Sequence, residues 1–427
     1  MWAGMALAAT GLAVRSAQAE ALLVIEAESG KVLYAQNAGY PWYPASVTKL
    51  MTAYVTLRAV EDGRITLETP LVVSTNAVAQ APVKMGFGTG TQVTVDNALK
   101  MLMVKSANDI AVVLAEGVAG SVENFADQMN RHARRLGMVQ STFVNPNGLP
   151  ADDQVSSARD LAILARALIR DFPQYDYYWR LPGIRMGKMV RRNHNSLIGR
   201  YAGADGMKTG FICASGFNLV ASATRDGKRL IAVVLGAPSS AARALKAAQL
   251  LERGFNSGGG LTWLMPTLGT VETVQPINAA PPNLREDLCG KQRKRPASEE
   301  DDDQIAENAG PDSPNTSFLA NLQPKMKASE LLNGSDWGEP VLVYTGTKPP
   351  APGAAAAPDA KPKAEKKKTI AAKLLPGAQP PRDAGFTPLI ATSSGDAQPK
   401  PKPKKPAPKP AASLVPTASS QPTSQMR

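Results

Sequence analysis

Strand-like segments at both ends of one apolar region constrain the fold of this chain most strongly. They lie at 21–25, 31–35, 216–224 and 229–235. The last two are joined around Asp226 and Gly227, and Asp-Gly between two apolar runs is a strong signal for a β-hairpin. The sequence between the two ends has helical rather than strand-like periodicity. We therefore predict one α+β domain whose mostly antiparallel sheet is completed by the two ends of the region.

Apolar residues between these ends recur at the three- and four-residue spacing of amphipathic helices. The clearest helix is predicted over 121–136, where the apolar residues share one face and the pattern stops at Gly137. Ser157 and Asp160 resemble a capping box at the start of another helix. Further helices are predicted over 46–59, 96–103, 109–116 and 241–251.

The C-terminal part of the chain differs in composition from the apolar region. Residues 349–427 hold 17 of the 35 prolines and 13 Lys/Arg against 4 Asp/Glu, which is +9 of the formal net charge of +12. Such a segment has too few large apolar residues to offset the entropy lost on folding. We predict a folded domain over 20–255, an extension packed on or near it over 256–296, and a largely disordered tail over 297–427, in which 329–344 holds one helix and one strand. Because the positive charge belongs to the tail, the domain is not predicted to bind nucleic acid.

Residues 1–19 are typical of a cleaved secretory signal, because they are apolar and small and end in Ala17-Gln18-Ala19. No Lys or Arg precedes the apolar run, so the true start of the signal could lie upstream, and an ordinary buried helix is the alternative. No later run reaches the roughly 18 to 20 apolar residues needed to cross a bilayer. We predict an exported protein without a membrane span, with Glu20 as its first mature residue.

The chain has two cysteines and two histidines. This excludes a disulfide-dense mini-fold, and a zinc site would use nearly all of these residues, so no metal site or cofactor is predicted. In an oxidising compartment Cys213 and Cys289 can persist as a disulfide. Their separation of 76 residues says nothing about proximity, and two buried free thiols remain the alternative.

Ser46 and Lys49 form the only Ser-x-x-Lys pattern in the chain. Residues three apart share a helix face, so the Lys49 amine can reach the Ser46 hydroxyl. A serine hydroxyl is a poor nucleophile until a base takes its proton. The pair therefore indicates a nucleophile with its base, although a serine N-cap followed by a surface lysine gives the same pattern.

Two further short patterns follow in order. Ser106 and Asn108 form a Ser-x-Asn motif between two amphipathic helices, where a loop can present side chains to a cleft. Lys208, Thr209 and Gly210 form the only Lys-Thr-Gly in the chain. A lysine at a strand edge can bind a carboxylate, the threonine can hydrogen-bond it, and the glycine lets a substrate backbone approach closely.

Together the three ordered motifs resemble the signature of penicillin-binding proteins and class A β-lactamases. Over about residues 20–255 the chain is most similar to the low-molecular-mass penicillin-binding proteins, the serine-type D-alanyl-D-alanine carboxypeptidases. The agreeing flanks are Tyr43-Pro44-Ala45-Ser46-Val47-Thr48-Lys49-Leu50-Met51-Thr52, Asn145-Pro146-Asn147-Gly148-Leu149, Asp205-Gly206-Met207-Lys208-Thr209-Gly210 and Gly216-Phe217-Asn218-Leu219-Val220-Ala221-Ser222-Ala223. The resemblance implies an antiparallel sheet flanked by helices, a mostly helical subdomain, and a location in the bacterial periplasm or cell envelope.

The resemblance also implies a mechanism. Ser46 would attack the peptide bond between the terminal D-alanines of a peptidoglycan stem pentapeptide, with Lys49 as general base. Ser106 would relay the proton to the leaving D-alanine, and Asn108 would hold the substrate amide. Water would then hydrolyse the acyl-enzyme, and β-lactam antibiotics would act as covalent inhibitors. Preference for carboxypeptidase or endopeptidase cleavage stays open.

The resemblance assigns the remaining site residues to the terminal carboxylate and the oxyanion. Lys208 and Thr209 would bind the carboxylate, and the backbone N–H groups of Ser46 and Phe211 would form the oxyanion hole. Two residues depart from the family pattern: Phe211 stands where close relatives often have histidine, and His194 stands where many have arginine. Both departures touch the carboxylate-binding side of the site.

Two other functions compete with the carboxypeptidase interpretation. A class A-like β-lactamase uses a glutamate to position the deacylating water, and this chain has no glutamate between Glu123 and Lys208. A non-catalytic peptidoglycan-binding envelope protein would not need the intact triplet of motifs. The basic tail could make a weak contact with anionic membrane or wall polymer, although a solvated spacer is the simpler role.

Overall fold

The computed structural model of the chain describes residues 20–258, 268–291 and 328–349. The predicted signal at 1–19 and most of the predicted tail lie outside these ranges. The chain divides into two compact units, Met1–Lys361 and Pro362–Arg427. All the described residues belong to the first unit. No helix among the described residues has both the length and the apolar character needed to span a bilayer.

Most helices within the described ranges follow the predicted segments closely, but the short helices at 75–79 and 285–289 were not predicted. The helices are α1 (Lys49–Glu61), α2 (Thr75–Ala79), α3 (Val95–Val104), α4 (Asn108–Ala119), α5 (Val122–Leu136), α6 (Ala158–Asp171), α7 (Ser240–Phe255), α8 (Arg285–Cys289) and α9 (Ala328–Leu331). Short 3₁₀ segments lie at Ala45–Thr48, Pro173–Arg180, Asn256–Gly258 and Val271–Thr273.

Within the described ranges the strands form one large and three small sheets. They are β1 (Ala21–Glu26), β2 (Val32–Gln36), β3 (Pro41–Trp42), β4 (Pro70–Val72), β5 (Gln92–Thr94), β6 (Ser156–Ser157), β7 (Gly183–Met186), β8 (Met189–Arg192), β9 (Ala204–Ile212), β10 (Gly216–Arg225), β11 (Lys228–Ala237) and β12 (Val341–Leu342). The large sheet has the order β2-β1-β11-β10-β9, and all its adjacent strands pair antiparallel. The predicted fold class, an α+β domain with an antiparallel sheet completed by both ends of the region, is confirmed.

The β10–β11 hairpin turns at the predicted Asp-Gly pair. Asp226 and Gly227 both have positive φ, 48° and 75°. Two-residue hairpin turns of type I′ require positive φ at both central positions, and Asp-Gly tolerates that conformation well. Local turn chemistry therefore fixes the pairing of the two longest strands in the sheet.

Strand alternation divides the sheet side chains between two cores. Leu23 and Ile25 of β1 pack with α1 and α6, whereas Leu22 and Val24 pack with α7 on the other face. Successive side chains of a strand point to opposite faces, so a sheet covered on both sides is apolar at nearly every position. Because both faces of the sheet are covered, the sequence of β1 is almost continuously apolar.

Helix α4 is the centre of the helical subdomain. Residues 110–115 are all buried, and α4 packs against α1, α3 and α5. A helix that is apolar on every side is stable only when neighbours surround it. Because α4 begins at Asn108, its burial fixes the position of that side chain.

Helix capping agrees with the sequence in one case and differs in another. Helix α5 stops at Gly137, which has φ of 77°, as predicted. At the start of α6, Ser157 Oγ accepts a hydrogen bond from the backbone N–H of Asp160. The Asp160 carboxylate does not complete the predicted capping box, because it accepts hydrogen bonds from Gln140 N–H and Ser141 Oγ instead.

Residues 328–349 cross the surface of the domain as a strap. Helix α9 packs against α7, and β12 pairs parallel with β7. Beyond β12, Val343 is 1% exposed, and Gly346 N–H donates to the carbonyl of Gln92 at 2.7 Å. This part of the region predicted as tail therefore packs against the folded domain, and it contains the one helix and one strand that the sequence indicated.

Candidate active site

The predicted nucleophile lies in a 3₁₀ turn. Ser46 belongs to the turn Ala45–Thr48, and Lys49 is the first residue of α1. Side chains three residues apart eclipse one another in 3₁₀ geometry, so this turn aligns the two side chains more closely than an α-helix would. The Lys49 Nζ atom lies 2.9 Å from Ser46 Oγ.

Two carbonyl oxygens also contact Lys49, whose side chain is fully buried. Lys49 Nζ lies 2.8 Å from Asn108 Oδ1 and 2.6 Å from the backbone oxygen of Asn147. Carbonyl oxygens only accept hydrogen bonds, whereas a serine hydroxyl can also donate. Among these three partners, Ser46 is therefore the only group from which a neutral Lys49 amine can take a proton.

Asn108 is held at both ends of its carboxamide. Its Oδ1 faces Lys49, and its Nδ2 donates to the carbonyl of Ala81 at 3.0 Å. Its backbone N–H donates to the carbonyl of Val83 at 2.7 Å. The second N–H of the carboxamide has no partner within the described ranges, so it is the group that could bind a substrate carbonyl.

Ser106 precedes α4 in a left-handed conformation, with φ of 61°. Its side chain is 4% exposed, and its Oγ has no hydrogen-bond partner within the part of the chain that the structure describes. Buried polar groups are normally satisfied, and exceptions in native structures are concentrated where a ligand or water binds. Ser106 lies two residues before Asn108, which contacts Lys49. The unsatisfied hydroxyl of Ser106 is therefore next to the candidate site.

Lys208, Thr209 and Gly210 lie inside strand β9, which is the edge strand of the large sheet. The sequence did not predict a strand over these residues. Lys208 and Thr209 are each 1% exposed, and Lys208 Nζ lies 2.9 Å from the Thr209 carbonyl. The motif is thus built into the sheet rather than into a loop.

Gly210 brings the edge of β9 against the nucleophile. A Cβ atom at this position would lie 2.8 Å from both the Ser46 and the Val47 backbone nitrogens, and 3.1 Å from the Pro44 oxygen. Glycine is required where two backbones approach this closely. The edge strand β9 and the backbone N–H of Ser46 therefore lie close together, as an oxyanion hole requires.

Buried hydrogen bonds hold the nucleophile turn against the sheet. Trp42 Nε1 donates to the Ser215 carbonyl at 2.9 Å, and Asn218 Nδ2 donates to the Tyr43 carbonyl at 2.9 Å. Cys213, one residue after β9, forms a disulfide with Cys289 at the end of α8. The structure thereby resolves the open alternative for the two cysteines and ties the 268–291 segment to the candidate site.

The two positions that depart from the family pattern lie on the β9 side of the site. The Phe211 ring lies 4.2 Å from that of Phe217, between ring centroids. Residues 193–195 support β9 from behind, because Asn195 Nδ2 donates to the Gly206 carbonyl at 2.7 Å. The buried Arg243 lies near the His194 backbone oxygen, at 3.4 Å.

Sequence reasoning did not single out two of these residues. Asn147 was noted only within a flanking segment, yet its backbone oxygen is a direct partner of Lys49. Asn218, in the first strand of the predicted hairpin, tethers the segment before Ser46. A backbone carbonyl carries no side-chain signal, so only the fold could have placed Asn147 here.

Comparison with known proteins agrees with this geometry. The sequence profile of the D-alanyl-D-alanine carboxypeptidase family matches residues 8–239, more than half of the chain. The chain is 38% identical over 258 residues to D-alanyl-D-alanine carboxypeptidase DacC of Escherichia coli, covering 59% of this chain and 64% of that protein. It is 34% identical over 245 residues to DacF of Bacillus subtilis, covering 56% and 62%. The chain thus spans less than two thirds of the length of these curated relatives.

Solved structures resemble the same region. The carboxypeptidase DacD of Francisella tularensis superimposes with a TM-score of 0.54 at 30% identity, covering 55% of this chain and 70% of that one. Penicillin binding protein 5 of Haemophilus influenzae superimposes with a TM-score of 0.53 at 36% identity, covering 56% and 71%. The chain has an antiparallel sheet flanked by helices, with a serine–lysine pair at the edge of the sheet. It therefore has the fold of the penicillin-binding proteins. Within that class, the chain belongs to the D-alanyl-D-alanine carboxypeptidase family.

Proposed function

We propose that this protein hydrolyses the terminal D-alanyl-D-alanine bond of peptidoglycan stem pentapeptides through an acyl-enzyme on Ser46. The contact between Lys49 Nζ and Ser46 Oγ carries the proposal, together with the contacts of the same amine with the carbonyl oxygens of Asn108 and Asn147. The family relationship supports the choice of substrate.

The first step is acylation. Lys49 takes the hydroxyl proton as Ser46 Oγ attacks the carbonyl carbon of the penultimate D-alanine. The negative charge on the carbonyl oxygen would be stabilised by the N–H groups of Ser46 and Phe211. A positioned base contributes about 10² to 10⁴ in rate and one oxyanion donor about 10² to 10³.

The second step breaks the carbon–nitrogen bond to the terminal D-alanine. The leaving amine needs a proton, which Lys49 holds after acylation. The buried and unsatisfied hydroxyl of Ser106 is suited to relay it, since a hydroxyl both accepts and donates a hydrogen bond. Asn108 would keep the amine of Lys49 in place and use its remaining N–H for the substrate amide.

The terminal carboxylate would bind at β9. Lys208 supplies a buried positive charge and Thr209 a hydroxyl next to it. The same residues would orient the carboxylate of a penicillin, and the name of the Haemophilus influenzae relative records penicillin binding for that protein. We accordingly propose β-lactams as covalent inhibitors of this chain.

The last step releases the shortened stem peptide. Water attacks the ester carbonyl, the bond to Ser46 Oγ breaks, and Ser46 regains its proton. None of the similar proteins reported above is a β-lactamase, and the chain has no glutamate between Glu123 and Lys208. Slow deacylation of a penicilloyl adduct is therefore expected.

The decisive experiment is mass spectrometry of a pentapeptide muropeptide incubated with the purified chain. Loss of one alanine supports the proposal, and cleavage of a cross-linked dimer would assign endopeptidase preference instead. Ser46→Ala should abolish release, with exposed Ser29→Ala as the matched control. D-alanine release that survives Ser46→Ala would refute the nucleophile.

A labelled penicillin tests the adduct and the competing functions. The unsubstituted chain should form a stable covalent adduct that Ser46→Ala cannot form. Rapid turnover of the penicillin would favour a β-lactamase, and wall binding with no release in any variant would favour the scaffold. We also propose that residues 1–19 direct secretion and that the basic tail makes a weak contact with anionic polymers. Both hypotheses concern residues outside the described ranges.

A further inference from the structure

A polar cavity of about 500 Å³ lies at the end of α1 that is far from Ser46. It is formed by the last turns of α1, the residues just after them, and the facing side of α5. Its basic lining residues are Arg58, Arg64, Arg131 and Arg135. At 1.5 Å per residue along α1, the cavity lining begins about 8 Å from Lys49, at Tyr54, and reaches about 20 Å from it, at Asp62.

Acidic side chains balance the charge of this arginine cavity only in part. Four guanidinium groups and one carboxylate, that of Asp62, line it, a net charge of +3. Arg58 pairs with Asp171 at 3.2 Å, and Arg64 Nε lies 3.7 Å from Asp62. Arg131 and Arg135 have no acidic partner within the described ranges.

Tyr54, Gln128 and His132 form the rest of the wall. The Tyr54 ring lies edge-on to His132, with 5.4 Å between centroids. Burial lowers the pKa of His132 to about 4, and the positive charges of Arg135, Arg58 and Arg131 act in the same direction, against Asp62. The imidazole is therefore neutral at pH 7 and can act as a hydrogen-bonding group beside the guanidinium groups.

We propose that the arginine cavity binds a phosphate group, carried either by a soluble phosphate ester or by a lipid headgroup. Guanidinium groups bind phosphate oxygens in bidentate fashion. A phosphate monoester carries about −1.5 to −2 charges and three acceptor oxygens at pH 7, whereas a carboxylate carries a single charge. The net positive charge and the four guanidinium groups that line the cavity match the phosphate better. No residue of this cavity belongs to the candidate active site, so the proposal stands or fails independently of the proposed function.

The two histidines of the chain provide a direct measurement. With ¹³C-labelled histidine, the full chain gives one signal from His132 and one from His194, assigned with His132→Gln. Titration with inorganic phosphate at constant ionic strength should shift the His132 signal saturably and raise its apparent pKa by about one unit or more. The His194 signal is the internal reference. An unmoved His132 signal, or an equal response to acetate, would overturn the phosphate assignment.

A pair of variants separates a site from general attraction to a basic surface. Arg131→Gln combined with Arg135→Gln should weaken phosphate binding about tenfold or more, because two charge-assisted contacts are lost. Arg134→Gln is the matched control, since Arg134 is exposed on the same helix but does not line the cavity. If Arg134→Gln weakened phosphate binding as much as the double variant does, the proposal would be contradicted. Thermal unfolding and D-alanine release of the double variant should match the unsubstituted chain.

Two probes identify the source of the phosphate. A soluble ester is indicated if sn-glycerol 3-phosphate binds with the same dependence on Arg131 and Arg135 and vesicle binding is unaffected by the double variant. A headgroup is indicated if vesicles of phosphatidylglycerol, but not of phosphatidylcholine, retain the unsubstituted chain better than the double variant. The basic tail contributes equally to both chains, so the difference reports the cavity alone. The proposal would be refuted if the double variant matched the unsubstituted chain both in binding sn-glycerol 3-phosphate and in binding phosphatidylglycerol vesicles.

Discussion

Gly210 and the backbone nitrogen of Ser46 lie so close that a Cβ atom at position 210 would stand 2.8 Å from that nitrogen. The obstructing atoms are backbone atoms of a 3₁₀ turn held by buried hydrogen bonds, so they cannot move aside as a flexible side chain would. The edge of the sheet and the nucleophile turn therefore form one rigid unit.

Gly210→Ala should lower kcat/KM for D-alanine release by about 10² or more, because the added methyl group displaces an oxyanion donor. The control is Gly88→Ala, since a Cβ atom at that position meets nothing within 4 Å. Steady-state kinetics and thermal unfolding of both variants make the measurement. Full activity of Gly210→Ala would show that the backbone approach is not needed for catalysis.

Asn108 should act mainly through Lys49. Asn108→Ala removes an acceptor of the buried amine, and we expect kcat to fall about tenfold or more. Asn108→Asp places a carboxylate beside the same amine and favours its protonated form, so the acidic limb of the pH–rate profile should move to higher pH. A profile unchanged by Asn108→Asp would argue against Lys49 as the base.

His132 should make the folded domain sensitive to mild acid. Burial lowers the pKa of His132 from 6.5 to about 4 in the folded chain, so the unfolded chain takes up the proton first as the pH falls below 6.5. The unfolding free energy should therefore decrease between pH 6.5 and pH 4. One pKa unit corresponds to about 1.4 kcal/mol, and because the site is half exposed we expect only about 1–2 kcal/mol.

Denaturant unfolding at several pH values tests the histidine effect. His132→Gln should remove this part of the pH dependence, while His194→Gln, which removes the other histidine, should retain it. Identical pH dependence in the unsubstituted chain and His132→Gln would disprove the assignment.

The Cys213–Cys289 disulfide should stabilise the domain through the 76-residue loop it closes. Replacing both cysteines by serine should lower the unfolding free energy by about 2–4 kcal/mol. Reductant should lower the Tm of the unsubstituted chain towards that of the double variant and leave the variant itself unchanged. A Tm insensitive to both changes would contradict a stabilising role.

The strap over 328–349 should contribute to stability, unlike the residues beyond it. Leu331, Leu332 and Val343 are buried at 5%, 9% and 1% exposure. Burial of an aliphatic side chain contributes about 1.5–3 kcal/mol, so a chain ending at residue 327 should lose about 3 kcal/mol or more. A chain ending at residue 349 is the matched control and should unfold like the full chain. Equal stability of the two truncated chains would show that the strap only rests on the surface.

Several features of the fold and site were predictable because they depend on neighbours in sequence. The β10–β11 hairpin follows from Asp226-Gly227, whose backbone tolerates positive φ. Helix α5 ends at Gly137 because glycine adopts the left-handed conformation readily. The Ser46–Lys49 contact follows from three-residue spacing within one turn.

Strand β9 was not predicted as a strand. It contains Gly206 and Gly210 and lacks the alternation of a half-buried strand, so its own residues give little strand propensity. Backbone pairing with β10 imposes the conformation instead. The positions of Lys208 and Thr209 within the sheet could not be read from the sequence for this reason.

The sequence by itself determined the order of the motifs, the apolar periods of the helices and strands, and the local pairing of Ser46 with Lys49. Only the tertiary structure decided that Asn108 and the Asn147 carbonyl, 59 and 98 residues from Lys49, meet at its amine, and that two distant helices enclose an arginine-lined cavity. Short-range contacts follow from spacing and backbone preference. Long-range contacts depend on burying all the apolar faces at once, and no segment carries that information alone.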